Sequence, residues 1–337
     1  RTFSMPYHKA KPDVVEKINI RPVPEHHYEE LDEDFLKDYQ WVFEPTAGPY
    51  EVRKENINDG VAITITRVPN WWGSDKKFFK NRFNPDKIRV TVVREPAKVF
   101  DNLYFLGTRS LNAWALTTSG GIVIIDPLYD YNVEAEIIEG LRTLGLDPAD
   151  ITHVLVSHGH GDHYGGAQQL QRQFGARVLL SAPDWDMMLA NTGSQPKPTR
   201  DIEVTDGQQL SVGDTQLRFT LTPGHTPGTI STLVPVRDGG RSHVAALWGG
   251  TAMRPTEEFY TRYVAGAQKF AAVAAEAGAD VVISNHAIFD RADEKIEALA
   301  TRGAGDPHPF VIGEEATQNM FKMIQHCAQA GLARLAR

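Results

Sequence analysis

Short apolar runs alternate with polar turns along most of the chain, and the period of each run assigns an element. Ile88 to Val93, Leu103 to Leu106, Asn112 to Thr118 and Gly121 to Ile125 read as successive strands of a meander. Asn132 to Leu144 has helical spacing and leads to a β-branched strand, Ile151 to Val156. Ala167 to Phe174 reads as a helix stopped by Gly175. The rhythm recurs after Arg177, with strand Val178 to Ser181, helix Pro183 to Ala190, and a hairpin from Gln209 to Leu221 turned at Gly213-Asp214. Strands Ile230 to Val236 and Val244 to Leu247 precede a helix from Thr256 to Ala277. Val281 to Ser284 is the last strand, followed by helices Asp290 to Thr301 and Gly313 to Leu335. Two such successions suit an α/β protein in which two sheets pack face to face with helices outside, a four-layer αββα sandwich.

Residues 1–90 lack this rhythm and read as an N-terminal extension to a domain spanning 91–337. Arg1 to Pro24 is basic and proline-marked, as in an extended arm. Glu29 to Phe43 sets Leu31, Phe35, Leu36 and Trp41 among acidic residues, as in a short helix with one apolar face. Val61 to Thr66 reads as a strand, followed by Trp71 and Trp72, then Phe78, Phe79 and Phe83 interleaved with Lys76, Lys77, Lys80 and Arg82. Three readings of this stretch compete: packing or a homodimer interface, base stacking on nucleic acid, or a flat apolar wall of Trp71 and Trp72 at the mouth of an active site. His26 and His27, beside Glu29 and Glu30, read as a solvated cluster rather than an interface metal site.

Charge narrows these choices. A net charge of −8 argues against nucleic acid or an anionic membrane as partner. The chain contains no apolar run of about eighteen residues, the length that spans a bilayer. The single cysteine, Cys327, excludes an internal disulfide framework and, lying near Met323 and Ala330 in a helix, reads as core. The chain opens on Arg1 rather than methionine, which implies a removed N-terminal piece. A soluble protein of the cytoplasm or periplasm is expected.

Between Val156 and Ala167 stands Ser157-His158-Gly159-His160-Gly161-Asp162-His163-Tyr164-Gly165-Gly166, three histidines and one aspartate within six positions. Imidazole and carboxylate together suit borderline divalent ions such as zinc. The spacing places them on a tight strand-to-helix loop, with Gly159 and Gly161 supplying backbone angles that residues with a Cβ resist. Alternate side chains then diverge, His158 and His160 towards one metal, Asp162 and His163 towards a neighbour. A two-metal site needs ligands from other loops. His225, within Pro223 to Gly228, and His286, after Val281 to Asn285, each end an apolar strand. Alone, either reads as a structural histidine; beside the main loop, both become candidate ligands. His153, His243 and His308 sit in less suggestive settings.

The pattern His158-x-His160-x-Asp162-His163 resembles the signature of the metallo-β-lactamase superfamily, and the similarity extends from about Pro96 to the C-terminus. Thr222 to Gly228 resembles the family's Thr-Pro-Gly-His-Thr-Pro-Gly element, and His286 its last histidine. The resemblance implies two Zn²⁺ per chain, the first on His158, His160 and His225, the second, weaker, on Asp162, His163 and His286. Asp126 matches a family aspartate that supports the site from behind; a turn-capping role before Pro127 is the alternative. Glyoxalase II, many lactonases and the phosphodiesterase branches carry a bridging aspartate after a strand comparable to Val244 to Leu247. Here Trp248-Gly249-Gly250-Thr251 offers no carboxylate. That pattern is similar to subclass-three metallo-β-lactamases, as are Phe174 to Leu180 and the Asp206-Gly207 turn; the long N-terminal segment departs from it. Thr251 stands near where that subclass places small hydroxyls for the substrate carboxylate.

A zinc with three protein ligands keeps an open position and lowers its water to a pKa of about 7. The expected activity is therefore attack of metal-bound hydroxide on a small-molecule substrate, β-lactamase-like. Asp162 would orient the hydroxide or take its proton, and Tyr164 would stabilise the oxyanion or simply pack. A lactonase, esterase or hydrolytic dehalogenase would use the same ligands, because fold does not fix substrate. A non-hydrolytic iron redox protein, or a metal-dependent interaction module, is the reading from another class.

Overall fold

In a computed structural model, the chain divides into two units, Arg1–Val93 and Arg94–Arg337. The structure describes residues 50–51, 57–58, 62–69, 71, 87–91, 96–108 and 110–336. The basic arm, the acidic helix, His26, His27, Trp72 and the phenylalanine–lysine stretch lie outside the described residues.

The first unit contains β1 (Tyr50–Glu51), β2 (Ile57–Asn58), β3 (Ala62–Arg67) and β4 (Lys87–Thr91). Strands β1, β2 and β4 all pair antiparallel with β3. This corrects the meander as expected: the strand beginning near Ile88 belongs to this small sheet. An apolar run announces a strand but carries no address for its partner.

The second unit holds two sheets. One runs in the order β11-β10-β9-β8-β7-β6-β5. Its strands are β5 (Ala97–Lys98), β6 (Leu103–Phe105), β7 (Trp114–Thr118), β8 (Gly121–Ile125), β9 (Ile151–Leu155), β10 (Arg177–Ser181) and β11 (Ile202–Val204). The other runs β12-β13-β14-β15-β16, from β12 (Gln209–Val212), β13 (Thr215–Leu221), β14 (Ile230–Asp238), β15 (Arg241–Trp248) and β16 (Val281–Ser284). The helices are α1 (Glu139–Thr143, entered through a π-helical stretch Val133–Ile138), α2 (Gly161–Tyr164), α3 (Ala167–Phe174), α4 (Ala182–Ala190) and α5 (Glu257–Glu276). After β16 come α6 (Ala287–Asp290), α7 (Ala292–Ala300) and α8 (Glu314–Leu335).

Successive side chains of a strand face opposite sides, so a strand apolar throughout feeds two cores. On β8, Val123 and Ile125 join Trp114, Leu116 and Leu179 against Phe219, Val234, Leu247 and Ile283 of the other sheet. Ile122 and Ile124 turn the other way, under Val133, Ile137, Leu141, Leu170 and Trp185. On β15, Ala246 and Trp248 meet Tyr263, Phe270, Phe321 and Ile324 of α5 and α8. Three cores separate four layers, the αββα sandwich. Each Leu, Ile, Val or Phe so buried contributes about 1.5–3 kcal/mol.

Two helical expectations need correction. The helix expected from Asp290 to Thr301 is broken at Arg291, whose φ of 56° is left-handed. Cys327 is exposed, because α8 buries Thr317, Phe321, Ile324, Ala328 and Gly331, a stripe in which position 327 falls outside.

Candidate metal centre

Five strand ends of the second unit supply the site. Asp126 follows β8, Ser157 to His163 follow β9, and His225 lies in the loop after β13. Gly249 follows β15, and Asn285 and His286 follow β16. The loop after β9 contains one helical turn, α2, which carries Asp162 and His163. Neither Gly159 nor Gly161 has a positive φ. Gly159 is required for room instead: a Cβ there would lie 2.8 Å from the carbonyl oxygen of Asp184.

His158, His160 and His225 form one group, and Asp162, His163 and His286 a second, the donor atoms of each group lying within 4.8 Å of one another. In the first, His225 Nε2 stands 3.0 Å from His160 Nδ1 and 3.1 Å from His158 Nε2. In the second, His163 Nε2 lies 3.2 Å from His286 Nε2 and 3.2 Å from Asp162 Oδ2.

The opposite ring atoms decide which nitrogens are bare. His158 Nδ1 lies 2.8 Å from the carbonyl of Gly249, and His225 Nδ1 lies 2.9 Å from that of Ala252. A carbonyl can only accept, so both protons sit on Nδ1 and both Nε2 atoms present lone pairs. Two lone pairs facing at 3.1 Å repel unless a cation lies between them. Tetrahedral zinc with bonds of 2.0–2.1 Å separates its ligands by about 3.3 Å. The donor set fits such an ion.

Behind the donors runs a buried polar network. Asp126, at a φ of 56°, accepts from the backbone N–H of Ser157 and from its Oγ, both at 2.6 Å. Its Oδ2 lies 3.1 Å from His163 Nδ1. Asn285 Nδ2 donates to Ser157 Oγ and to the Gly249 carbonyl, each at 2.9 Å. The carbonyl that orients His158 is thus held by the neighbour of His286. Asp290 closes the segment after β16, accepting from the N–H groups of Ser284 and Ala292 and from Asn112 Nδ2. Burial pushes Asp290 up to about 7, with Lys295 and these donors pulling the other way.

Burial lowers the basicity of His158, His160, His225 and His286, His225 to about 4, which favours the neutral ligating form. His163 differs. Burial would lower it, but Asp126 and Asp162 hold it up at about 9. Burial raises Asp162, and the hydrogen bond and charge of His163 outweigh this to keep it below the usual carboxylate range. The second group therefore carries a carboxylate that requires a positive neighbour, a proton or a metal ion.

A family model described as the metallo-β-lactamase superfamily matches residues 106–238. The hydroxyacylglutathione hydrolase of Halorhodospira halophila is 31% identical over 210 residues, 54% of this chain and 77% of that protein. The hydroxyacylglutathione hydrolase of Acidiphilium cryptum is 28% identical over 201 residues, 57% of this chain and 73% of that one. A subclass B3 metallo-β-lactamase of Bradyrhizobium japonicum superposes with a TM-score of 0.61 at 24% identity, covering 71% of this chain and 94% of that one. The chain belongs to the metallo-β-lactamase superfamily. Membership and the two His/Asp groups together place it among that superfamily's metal-dependent hydrolases.

The remaining sequence-predicted residues of this superfamily member fall variously. Tyr164 is only 1% exposed and packs in the core that holds Leu170 and Trp185. Of its two readings, oxyanion donor or packed ring, this is the packed one, because α2 turns the ring inward. Thr251 is half-buried and follows Gly250, which packs on His225. Trp71 is half-buried in the first unit. No helix among the described residues is long and apolar enough to cross a membrane. Ser157, Asp184, Asn285 and Asp290 were not predicted. Each has at least one partner 25 or more residues away, and no local spacing marks them.

Proposed function

We propose that the protein is a zinc hydrolase of small carbonyl substrates, β-lactamase-like, one ion held by His158, His160 and His225 and the second by Asp162, His163 and His286. The observation that carries this is the convergence of three imidazole nitrogens at 3.0–3.1 Å in the first group, those of His158 and His225 unprotonated. Bound there, a divalent metal pair supplies an acidified water and a Lewis acid for a carbonyl. The chain's own part is to orient and to move protons. Gly249 and Ala252 fix two imidazole tautomers through their carbonyls, and Asp126 fixes the approach of His163. Asp162, kept ionised and 24% exposed, is the carboxylate that takes a proton from attacking water.

The end of β15 supports the β-lactamase-like arrangement. A Cβ at Gly249 would fall 1.9 Å from the carbonyl oxygen of Ile230, and one at Gly250 would fall 2.4 Å from His225 Cβ. Neither glycine leaves room for a carboxylate side chain. Hydrolysis of a thioester, ester or lactone is the second reading, favoured by the hydroxyacylglutathione hydrolases among the relatives.

Both readings meet one experiment. Zinc-loaded protein is assayed on nitrocefin, a lactone and an acyl-glutathione thioester, before and after chelation. Turnover of at least one is expected to vanish with chelator and return with zinc, and two equivalents of zinc to be found. Chelator-insensitive turnover of every accepted substrate rejects the proposal, and iron in place of zinc supports a redox protein instead.

A further inference from the structure

Asp184, on α4, is completely buried, yet it belongs to neither donor group and faces no basic side chain among the described residues. Its Oδ2 accepts from the N–H of Gly159 at 2.8 Å and from Thr226 Oγ1 at 2.6 Å. Its Oδ1 accepts from the N–H of Gly228 at 2.6 Å. Gly159 lies between His158 and His160, and Thr226 directly follows His225. One carboxylate on a third element thus grips both loops that supply the first donor group, one from each sheet. Ser181, just before α4, adds a fourth tie, its Oγ donating to the Gly228 carbonyl at 2.6 Å.

A carboxylate is an expensive way to fill a dry position, since burial disfavours its charge. Three short bonds from N–H and O–H donors offset part of that, burial still holding the carboxyl above its ordinary range, and no apolar side chain could replace it without orphaning the two N–H groups. Both oxygens are needed, because the three donors approach from two loops.

We propose that Asp184 is a positioning residue that sets the separation of His225 from the His158–His160 pair, and with it the zinc affinity of the first group selectively over the second. This rests on the metal-site reading above. The contrast is local: the described bonds of Asp184 reach no residue of the Asp162–His163–His286 group.

The test is zinc competition against a chromophoric chelator on the full chain, comparing wild type with Asp184→Asn, Thr226→Val and His225→Ala. His225→Ala identifies the equivalent that belongs to the first group. Asp184→Asn turns an NH₂ towards one of the donors, and weakens that same equivalent by about 10–100-fold while the other moves by less than about threefold. Thr226→Val deletes one donor at nearly constant shape, and gives a smaller loss in the same equivalent. It decides the matter if Asp184→Asn does not fold. Equal weakening of both equivalents, or none in folded variants, overturns the role of Asp184. A wild type that binds no zinc overturns the metal-site reading itself.

Discussion

An imidazole that holds a cation is aimed by the partner of its other nitrogen. His158 and His225 are aimed by backbone carbonyls, which no substitution at the same residue removes. His160 is half-buried and closes the triangle through Nδ1. Replacing it, or Asp162, with alanine removes a donor but leaves the three cores untouched. Turnover is expected to fall by at least ~100-fold, the upper range seen for residues merely behind a ligand, with an unchanged circular dichroism spectrum. Loss of the folded spectrum would make the site structural rather than functional. At this scale the glycine-spaced histidines were legible because their signal is local. Ser157, Asn285, Asp184 and Asp290 behind them were not, because nothing in Ser157 or Asn285 announces a partner more than a hundred residues away.

Elements show a different limit. The strand ends that carry His225 and His286 were legible from their apolar runs, and Gly213 turns its hairpin as expected, at a φ of 55°. The left-handed Arg291 was invisible, since Phe289 to Lys295 keeps a helical composition straight through it. Strand β11 escaped because three residues carry too little periodicity. The segment after β16 depends instead on Asp290, which gathers donors from Ser284, Ala292 and Asn112. Asp290→Ala leaves those donors buried without acceptors, each worth ~1–3 kcal/mol. A loss of about 3 kcal/mol in urea denaturation is expected, with His286 the donor most disturbed. A loss under about 1 kcal/mol would mean that water or neighbours replace the carboxylate.

For the molecule as a whole, the start of the second unit meets the loop before α8 at His308. Its ring stacks on Phe100 with centroids 4.2 Å apart, its Nε2 lies 2.8 Å from the Val99 carbonyl, and its Nδ1 accepts from the N–H of Phe310. Both nitrogens are satisfied only in the neutral form, and burial lowers the basicity of the ring. The unfolded chain takes up a proton below about pH 6.5 and the folded chain resists it. Stability is therefore held above that pH and lost as pH falls below it. His308→Phe keeps the stack but cannot titrate, so thermal unfolding from pH 7 to 5 is expected to give it a lower but flatter profile than wild type. Parallel profiles would remove His308 from the account. Layering was legible throughout, since apolar strands flanked by helices leave few ways to pack. The sheet to which β4 belongs was not, because strand pairing is decided by distant backbone.

The loop after β9 brings four of the six donors from one leaf of the sandwich, and the loops after β13 and β16 bring the other two from the opposite leaf. An ion held there would be gripped from both sides, a stitch through the seam. Its escape would require the two leaves to part at that rim, so the seam and not any one imidazole would set its hold.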